Sequence, residues 1–129
     1  MIFVKLTDKE IDITVEFLRS MNLAEYFKSN PPALARFKKR TSYDDPDKFF
    51  NELIEQIIVQ KSQQGNREEI ALTHGQWLLT FITMAYIERT LNEVSECPEN
   101  AQLKEKILPT IKSICHRLAE GLDKKQTMQ

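Results

Sequence analysis

The feature of this sequence that most constrains its fold is an uncharged run of eleven residues, WLLTFITMAYI at 77–87, in a chain of which 29% is charged. Helical spacing gives the run one broad apolar face, made of Trp77, Leu78, Phe81, Ile82, Ala85 and Tyr86. Its only polar stripe consists of Thr73, Gln76, Thr80 and Thr83. A helix that is apolar nearly all round is buried on several sides. The run therefore predicts a central helix at about 67–95, with Trp77 and Phe81 in the core.

The run also allows two alternative interpretations, a membrane span and a homodimer interface. A membrane span is excluded, because eleven residues rise only about 16 Å along a helix and the hydrocarbon core is about 30 Å thick. The other alternative is that the run forms the interface of a homodimer. The remaining amphipathic segments need a helix to pack on, which favours the interior of a bundle.

The amino-terminal segment allows two structures. Thr7 and Glu10 form a capping box that predicts a helix at about 8–22. Alternation of apolar and polar residues over 11–17 instead allows a strand, which would make 2–17 a β-hairpin. We favour the helix, because no glycine or asparagine marks a hairpin turn. The following NLAEYFKSN is expected to form a short helical turn.

The middle of the chain carries clear helix start signals. Asn30, followed by two prolines, predicts a short helix near 31–41. Asp45 predicts the cap of the next helix, which Pro46 opens and Gly65 ends.

The last helix is predicted to start near Pro98 and to end at Gly121, with a bend at Pro109 and a frayed tail at 122–129. Three glycines in 129 residues argue against a fold built from tight β-turns. The sequence therefore predicts a single all-α domain, residues 1–129, as a compact bundle of five to six helices around the central apolar helix.

Charge and composition limit the choice of partners and location. A net charge of −1 gives no general attraction to nucleic acid or to an anionic membrane. The opening MIFVKLTDKE has only a four-residue apolar start before Lys5, so it does not predict a secretory signal. We expect a cytoplasmic protein in which Cys97 and Cys115 stay reduced.

No arrangement of residues predicts a catalytic, cofactor or metal site. The adjacent Cys115 and His116 would point about 100° apart on a helix, and no CxxC or HExxH spacing occurs. His74 continues an apolar row and is expected to be packed or capped. An acidic cluster is expected to serve the start of a helix instead of a cation, and it consists of Asp44, Asp45 and Asp47.

One short motif raises an enzymatic alternative. Arg67 and His74, with six residues between them, resemble the Arg-x4–6-His motif of HEPN ribonucleases. That resemblance implies a small all-α domain whose dimer brings the two residues together on RNA. It covers eight residues, and Glu68 places a negative charge where the family usually has a polar residue. We do not assign the family on it.

A mixture of basic and aromatic residues marks the best candidate for a binding site. Six of the eleven aromatic residues lie between Tyr26 and Phe50. They are interleaved with Arg36, Lys38, Lys39 and Arg40. Exposed arginines beside aromatic rings are typical of binding hot spots. The predicted partner-binding residues are Arg36, Phe37, Lys38, Lys39, Arg40 and Tyr43. The alternative is that the charges only suit the helix dipoles while the aromatic rings lie in the core.

These observations predict a small non-catalytic helical module that binds another protein as an adaptor, regulator or inhibitor. The expected partner is a protein with an acidic surface, and a homodimer is a further option. No cofactor and no membrane are expected. The alternative function is that of a nucleic-acid-associated protein. The specific form of this alternative is a HEPN-like ribonuclease.

Overall fold

Six helices and one two-stranded sheet make up the described part of the chain, which is residues 1–20, 23–63, 69–93 and 98–127 of a computed structural model. In chain order the elements are β1 (Ile2–Lys5), α1 (Asp8–Ser20), α2 (Leu23–Ser29), α3 (Pro31–Thr41), α4 (Pro46–Gln63), β2 (Glu69–Leu72), α5 (His74–Glu93) and α6 (Pro98–Thr127). Both strands and five of the helices contribute buried side chains to one hydrophobic core. The predicted all-α class, with five to six helices, is confirmed.

The two strands pair with each other in antiparallel register, with Ile2 opposite Leu72. Alternate residues of both strands face the core, and these are Ile2, Val4, Ile70 and Leu72. The outer edge of β2 is covered at Ala71, whose backbone N–H and carbonyl are both bonded to the side-chain amide of Gln60 at 2.7 Å. This capping of an exposed strand edge limits pairing with another chain.

The predicted central helix at about 67–95 is wrong at its start, because β2 occupies residues 69–72 and α5 begins at His74. The reason is a second capping box. The backbone N–H of Gln76 donates to Thr73 Oγ1 at 3.2 Å, and the N–H of Thr73 donates to Gln76 Oε1 at 3.0 Å. Two orphan donors are satisfied reciprocally, so the helix starts after Thr73.

The first helix follows the capping box predicted for it. The N–H of Glu10 donates to Thr7 Oγ1 at 3.2 Å, and the N–H of Thr7 donates to Glu10 Oε1 at 2.9 Å. The hairpin alternative for 2–17 is wrong, because β1 pairs with β2 and residues 11–17 are helical.

The caps predicted for α3 and α4 are both present. Asn30 Oδ1 accepts from the N–H of Ala33 at 3.3 Å, and Asp45 Oδ1 accepts from the N–H of Asp47 at 3.0 Å. The carboxylate of Asp47 is ion-paired with Lys28, so the acidic cluster serves the start of α4. Gly65, the predicted end of that helix, lies outside the described residues.

The last helix does not end at Gly121 as predicted, but continues to Thr127, and Leu122 is buried. The reason is close packing of α6 against β1. A methyl group added at Gly121 would lie 2.8 Å from Cγ2 of Val4, so glycine is needed here for contact and not as a stop signal. Pro109 is exposed within the helix, and the bend expected there remains a prediction.

We expect Gly121→Ala to destabilise the protein by about 1 kcal/mol or more, although alanine is the better helix former. The added methyl group meets a buried, β-branched side chain that cannot easily move. Gly75→Ala is the matched control, because its methyl group would lie 3.6 Å from the Arg40 carbonyl oxygen, an ordinary contact. That control is expected to be neutral or stabilising. Equal effects in denaturant melts would contradict the close α6–β1 contact.

A buried carboxylate joins α1 to α6. Glu10 is only 4% exposed, and its Oε2 accepts from the Ser113 hydroxyl at 2.8 Å. Arg117 Nε lies 3.4 Å from the same oxygen, and Arg117 Nη1 donates to the carbonyl of Lys5 at 2.9 Å. One arginine therefore ties β1, α1 and α6 together. Among the described residues, no helix is both long and apolar enough to cross a membrane.

Candidate partner-binding surface

The helix α5 turns its threonines toward the core. Thr80 and Thr83 are 0% exposed, and their hydroxyls donate to the carbonyls of Gln76 and Leu79, each at 2.8 Å. A threonine bonded to its own helix satisfies its hydroxyl, so it can be buried at little cost. The predicted polar stripe is therefore partly an interior one.

The opposite side of α5 exposes large apolar side chains. Ile82 is 42% exposed and Tyr86 is 57% exposed, while Leu78 and Phe81 are half-buried. The predicted burial of Trp77 is confirmed at 0% exposure, but the predicted burial of Phe81 is wrong. The physical reason is the rotation of α5 about its own axis. When Thr80 and Thr83 face inward, the row spaced by four residues, Leu78, Ile82 and Tyr86, faces outward.

A groove of about 180 Å³ lies between this face of α5 and the pair α2–α3. Its apolar walls include Tyr26, Ala33, Leu78 and Ile82. Arg36 and Arg40 also line it, and the described residues that line it include no Asp or Glu. The groove therefore offers an apolar floor together with positive charge.

A second, wider depression of about 530 Å³ adjoins the groove and shares Arg40, Gly75 and Leu78 with it. His74 and Phe81 line it from α5, and α6 contributes Leu122 and Asp123 from its carboxyl-terminal part. Gly75 lies beside the carboxyl-terminal end of α3, at the place where the two depressions meet. Together they form one continuous surface across the amino-terminal half of α5.

The structure divides the six predicted partner-binding residues into three groups. Arg36 and Arg40 line the groove, one helical turn apart. Lys38 and Lys39 are exposed but do not line it. Within the described part of the chain, none of these four cations has an ion pair or a side-chain hydrogen bond.

The third group is the two aromatic residues, of which Phe37 is a core residue that also lines the groove. It is 2% exposed and packs in an aromatic cluster, with ring centroids 5.0 Å from Phe27 and 5.2 Å from Phe49. Its place in the predicted partner-binding site stays a prediction, and its burial holds α3 against the core. A short helix has little stability of its own and depends on such a contact.

Tyr43 is half-buried beyond the end of α3 and lies away from the groove. Its ring meets Phe49 edge to face, with centroids 5.2 Å apart, and its hydroxyl donates to the carboxylate of Glu52. The hydrogen bond to Glu52, with partial burial and the charge of that carboxylate, raises the pKa of Tyr43. Tyr43 therefore fastens the α3–α4 connection to α4.

The residues with reactive or ligating side chains do not converge. Among the described residues, no three or more His, Cys, Asp or Glu side chains are grouped to hold a metal ion. His74 is half-buried at the start of α5, whereas Arg67 lies outside the described residues. Strand β2 lies between the two positions, so they do not belong to one continuous helix.

Cys115 is a buried free thiol facing Glu88. Burial, with the neighbouring carboxylate adding to it, raises the pKa of Cys115 to about 12. The thiolate is the reactive form, so this cysteine is expected to be inert in the folded protein.

In a Cys97→Ser background, where Cys115 is the remaining cysteine, we expect thiol labelling at pH 8 to be at least about tenfold slower in the native protein than in denaturant. The reason is that both access and the thiolate fraction are restored on unfolding. Labelling with a chromogenic disulfide measures the rates. Equal rates would show that the thiol is not buried against Glu88.

Sequence reasoning missed the exposed row on α5 and the part played by Tyr26, which is 50% exposed at the groove. One signal was present. A capping box at Thr73–Gln76 and threonines at 80 and 83 allow the threonine side of the helix to be buried, which leaves the Leu78–Ile82 side exposed.

No protein-family model, curated protein or solved structure matches the chain.

Proposed function

We propose that the protein is a non-catalytic helical module that binds another protein at the groove between α3 and α5. The observation that carries this proposal is the orientation of α5, which buries Thr80 and Thr83 while it exposes Ile82 and Tyr86. Burying an apolar side chain is worth about 1.5–3 kcal/mol, so exposing two on one row forgoes stability that folding alone would favour. A contiguous apolar surface rimmed by charge is typical of an interaction site.

The residue types at this surface also suit protein recognition. Tyrosine and arginine are enriched at binding hot spots, and here Tyr26, Tyr86, Arg36 and Arg40 all border the apolar row or its groove. The arginines favour a partner with an acidic surface. We place the protein in the cytoplasm, where a free buried thiol such as Cys115 stays reduced.

The proposal is tested by reversing charge on two sides of α3. Tagged wild-type protein, an Arg36→Glu/Arg40→Glu variant and a Lys38→Glu/Lys39→Glu variant are used to capture proteins from native lysate, with and without nuclease. Both variants change the net charge equally, but only the first alters the groove. We expect the arginine variant to lose a protein that wild type and the lysine variant retain. Retention of the same proteins by all three would overturn the proposal.

We expect no cleavage of RNA by the purified protein. Strand β2 separates His74 from Arg67 along the chain, so the two residues of the motif do not lie on one continuous helix. Incubation with single-stranded RNA, for wild type and for His74→Ala, measures the activity. If wild type cuts RNA and the folded His74→Ala variant does not, the nucleic-acid function replaces the one proposed.

A further inference from the structure

We infer that the partner segment is an amphipathic α-helix with two carboxylates one turn apart, which lies along α5 and binds Arg36 and Arg40. This inference rests on the proposed function and specifies the kind of partner. It is carried by the shape of the apolar surface, by the spacing of its two cations and by the absence of Asp and Glu from the described part of the groove lining.

The apolar row on α5 has the length and surroundings of a helix-binding groove. From Leu78 through Ile82 to Tyr86 it covers nine residues, whose first and last lie about 12 Å apart along the helix axis. Helices form both walls of the groove, so it offers no strand edge with which an extended peptide could pair. A helix satisfies its own backbone hydrogen bonds and needs only side-chain contacts, so it is the element that this groove suits.

The charges define the edge of the bound helix. Arg36 and Arg40 are four residues apart on α3, which separates them by about 6 Å along the axis. Carboxylates three or four residues apart on a helix are spaced by about the same distance. Both guanidinium groups lack an ion pair within the described residues, so they are available to a partner. Each can bind a carboxylate with two parallel hydrogen bonds.

A second copy of this chain suits the surface less well. Two-fold pairing of α5 centred on Ile82 would place residue 89 of the other copy opposite residue 75. Gly75 and Arg40 line the same groove, so that arrangement brings Arg89 of the other copy toward a residue of like charge. The favoured occupant is therefore a helix of a different protein.

Two synthetic helical peptides with the same leucine face test the inference, one flanked by glutamates four residues apart and the other by lysines at the same positions. Binding is measured by fluorescence anisotropy at low and moderate salt. We expect the acidic peptide to bind at least about tenfold more tightly than the basic one. Arg36→Glu/Arg40→Glu should reverse that preference, and Lys38→Glu/Lys39→Glu should leave it unchanged.

Three results would overturn the inference. They are equal affinity for the two peptides, no binding of either, and acidic-peptide binding that survives reversal of both arginines. A concentration-dependent dimer in sedimentation that Ile82→Glu abolishes would instead assign the surface to a second copy. If neither peptide binds but capture from lysate still depends on Arg36 and Arg40, the helical partner is wrong while the proposed function stands.

Discussion

Trp77→Ala is expected to destabilise the protein by about 3–5 kcal/mol, the usual range for emptying an aromatic core site. The indole is 0% exposed, and its Nε1 donates to the carbonyl of Ile2 at 2.8 Å. The substitution therefore leaves a cavity and also leaves a buried carbonyl with one bond fewer. It removes a contact between segments 75 residues apart, which holds β1 against α5.

Two further variants separate these contributions. Trp77→Phe keeps most of the ring but loses the donor, so we expect a smaller loss of stability than for alanine. Phe81→Ala is expected to cost clearly less than Trp77→Ala, because Phe81 is half-buried. Urea melts at constant pH measure all three. If Phe81→Ala proved as costly as Trp77→Ala, the orientation of α5 described above would be wrong.

The parts of the fold that were predictable are those specified by local chemistry. Capping residues mark the starts of α1, α3 and α4 because their side chains satisfy backbone N–H groups a few residues away, and this depends on no distant contact. Residues such as Thr7, Asn30 and Asp45 can therefore be recognised in the chain itself.

The orientation of α5 was not predictable from polarity alone. Hydropathy counts a threonine as polar, yet Thr80 and Thr83 bond to their own helix and are buried. Which side of a nearly apolar helix faces inward depends on where α1, α3 and α6 pack against it, and these are tertiary contacts. Strand β2 was missed for a similar reason, because four residues become a strand only when β1 lies beside them.

The sequence predicted only part of the candidate site. The residue types of the site can be recognised in the local sequence, whereas its geometry depends on tertiary contacts. The basic and aromatic residues drew attention to α3, and Arg36 and Arg40 of that helix line the groove. The same pattern could not separate Phe37, which is buried, from its neighbours. Nor could it reveal that Ile82, more than forty residues later in the chain, forms the other wall.

Glu10→Ala is expected to destabilise the protein by about 2–4 kcal/mol, because it removes one partner of a buried charged network and a helix cap together. The carboxylate accepts from the N–H of Thr7 and from the hydroxyl of Ser113, and it pairs with Arg117. Arg117 is 36% exposed and can turn toward water once its partner is lost, which keeps the expected loss below the upper end for buried pairs.

The control for this prediction is an exposed pair on α6, the helix that carries Ser113 and Arg117. Glu120→Ala breaks the contact with His116, whose side chain is 74% exposed, and is expected to change stability by less than about 0.5 kcal/mol. Denaturant melts measure both variants, and similar small losses would show that the Glu10 network contributes little. Because Glu10 contacts Thr7 and α6 and does not line the groove, the folded Glu10→Ala variant should still capture any partner that depends on Arg36 and Arg40. If the variant remains folded but no longer captures the partner, partner binding depends on Glu10. That result would contradict a partner site at the groove.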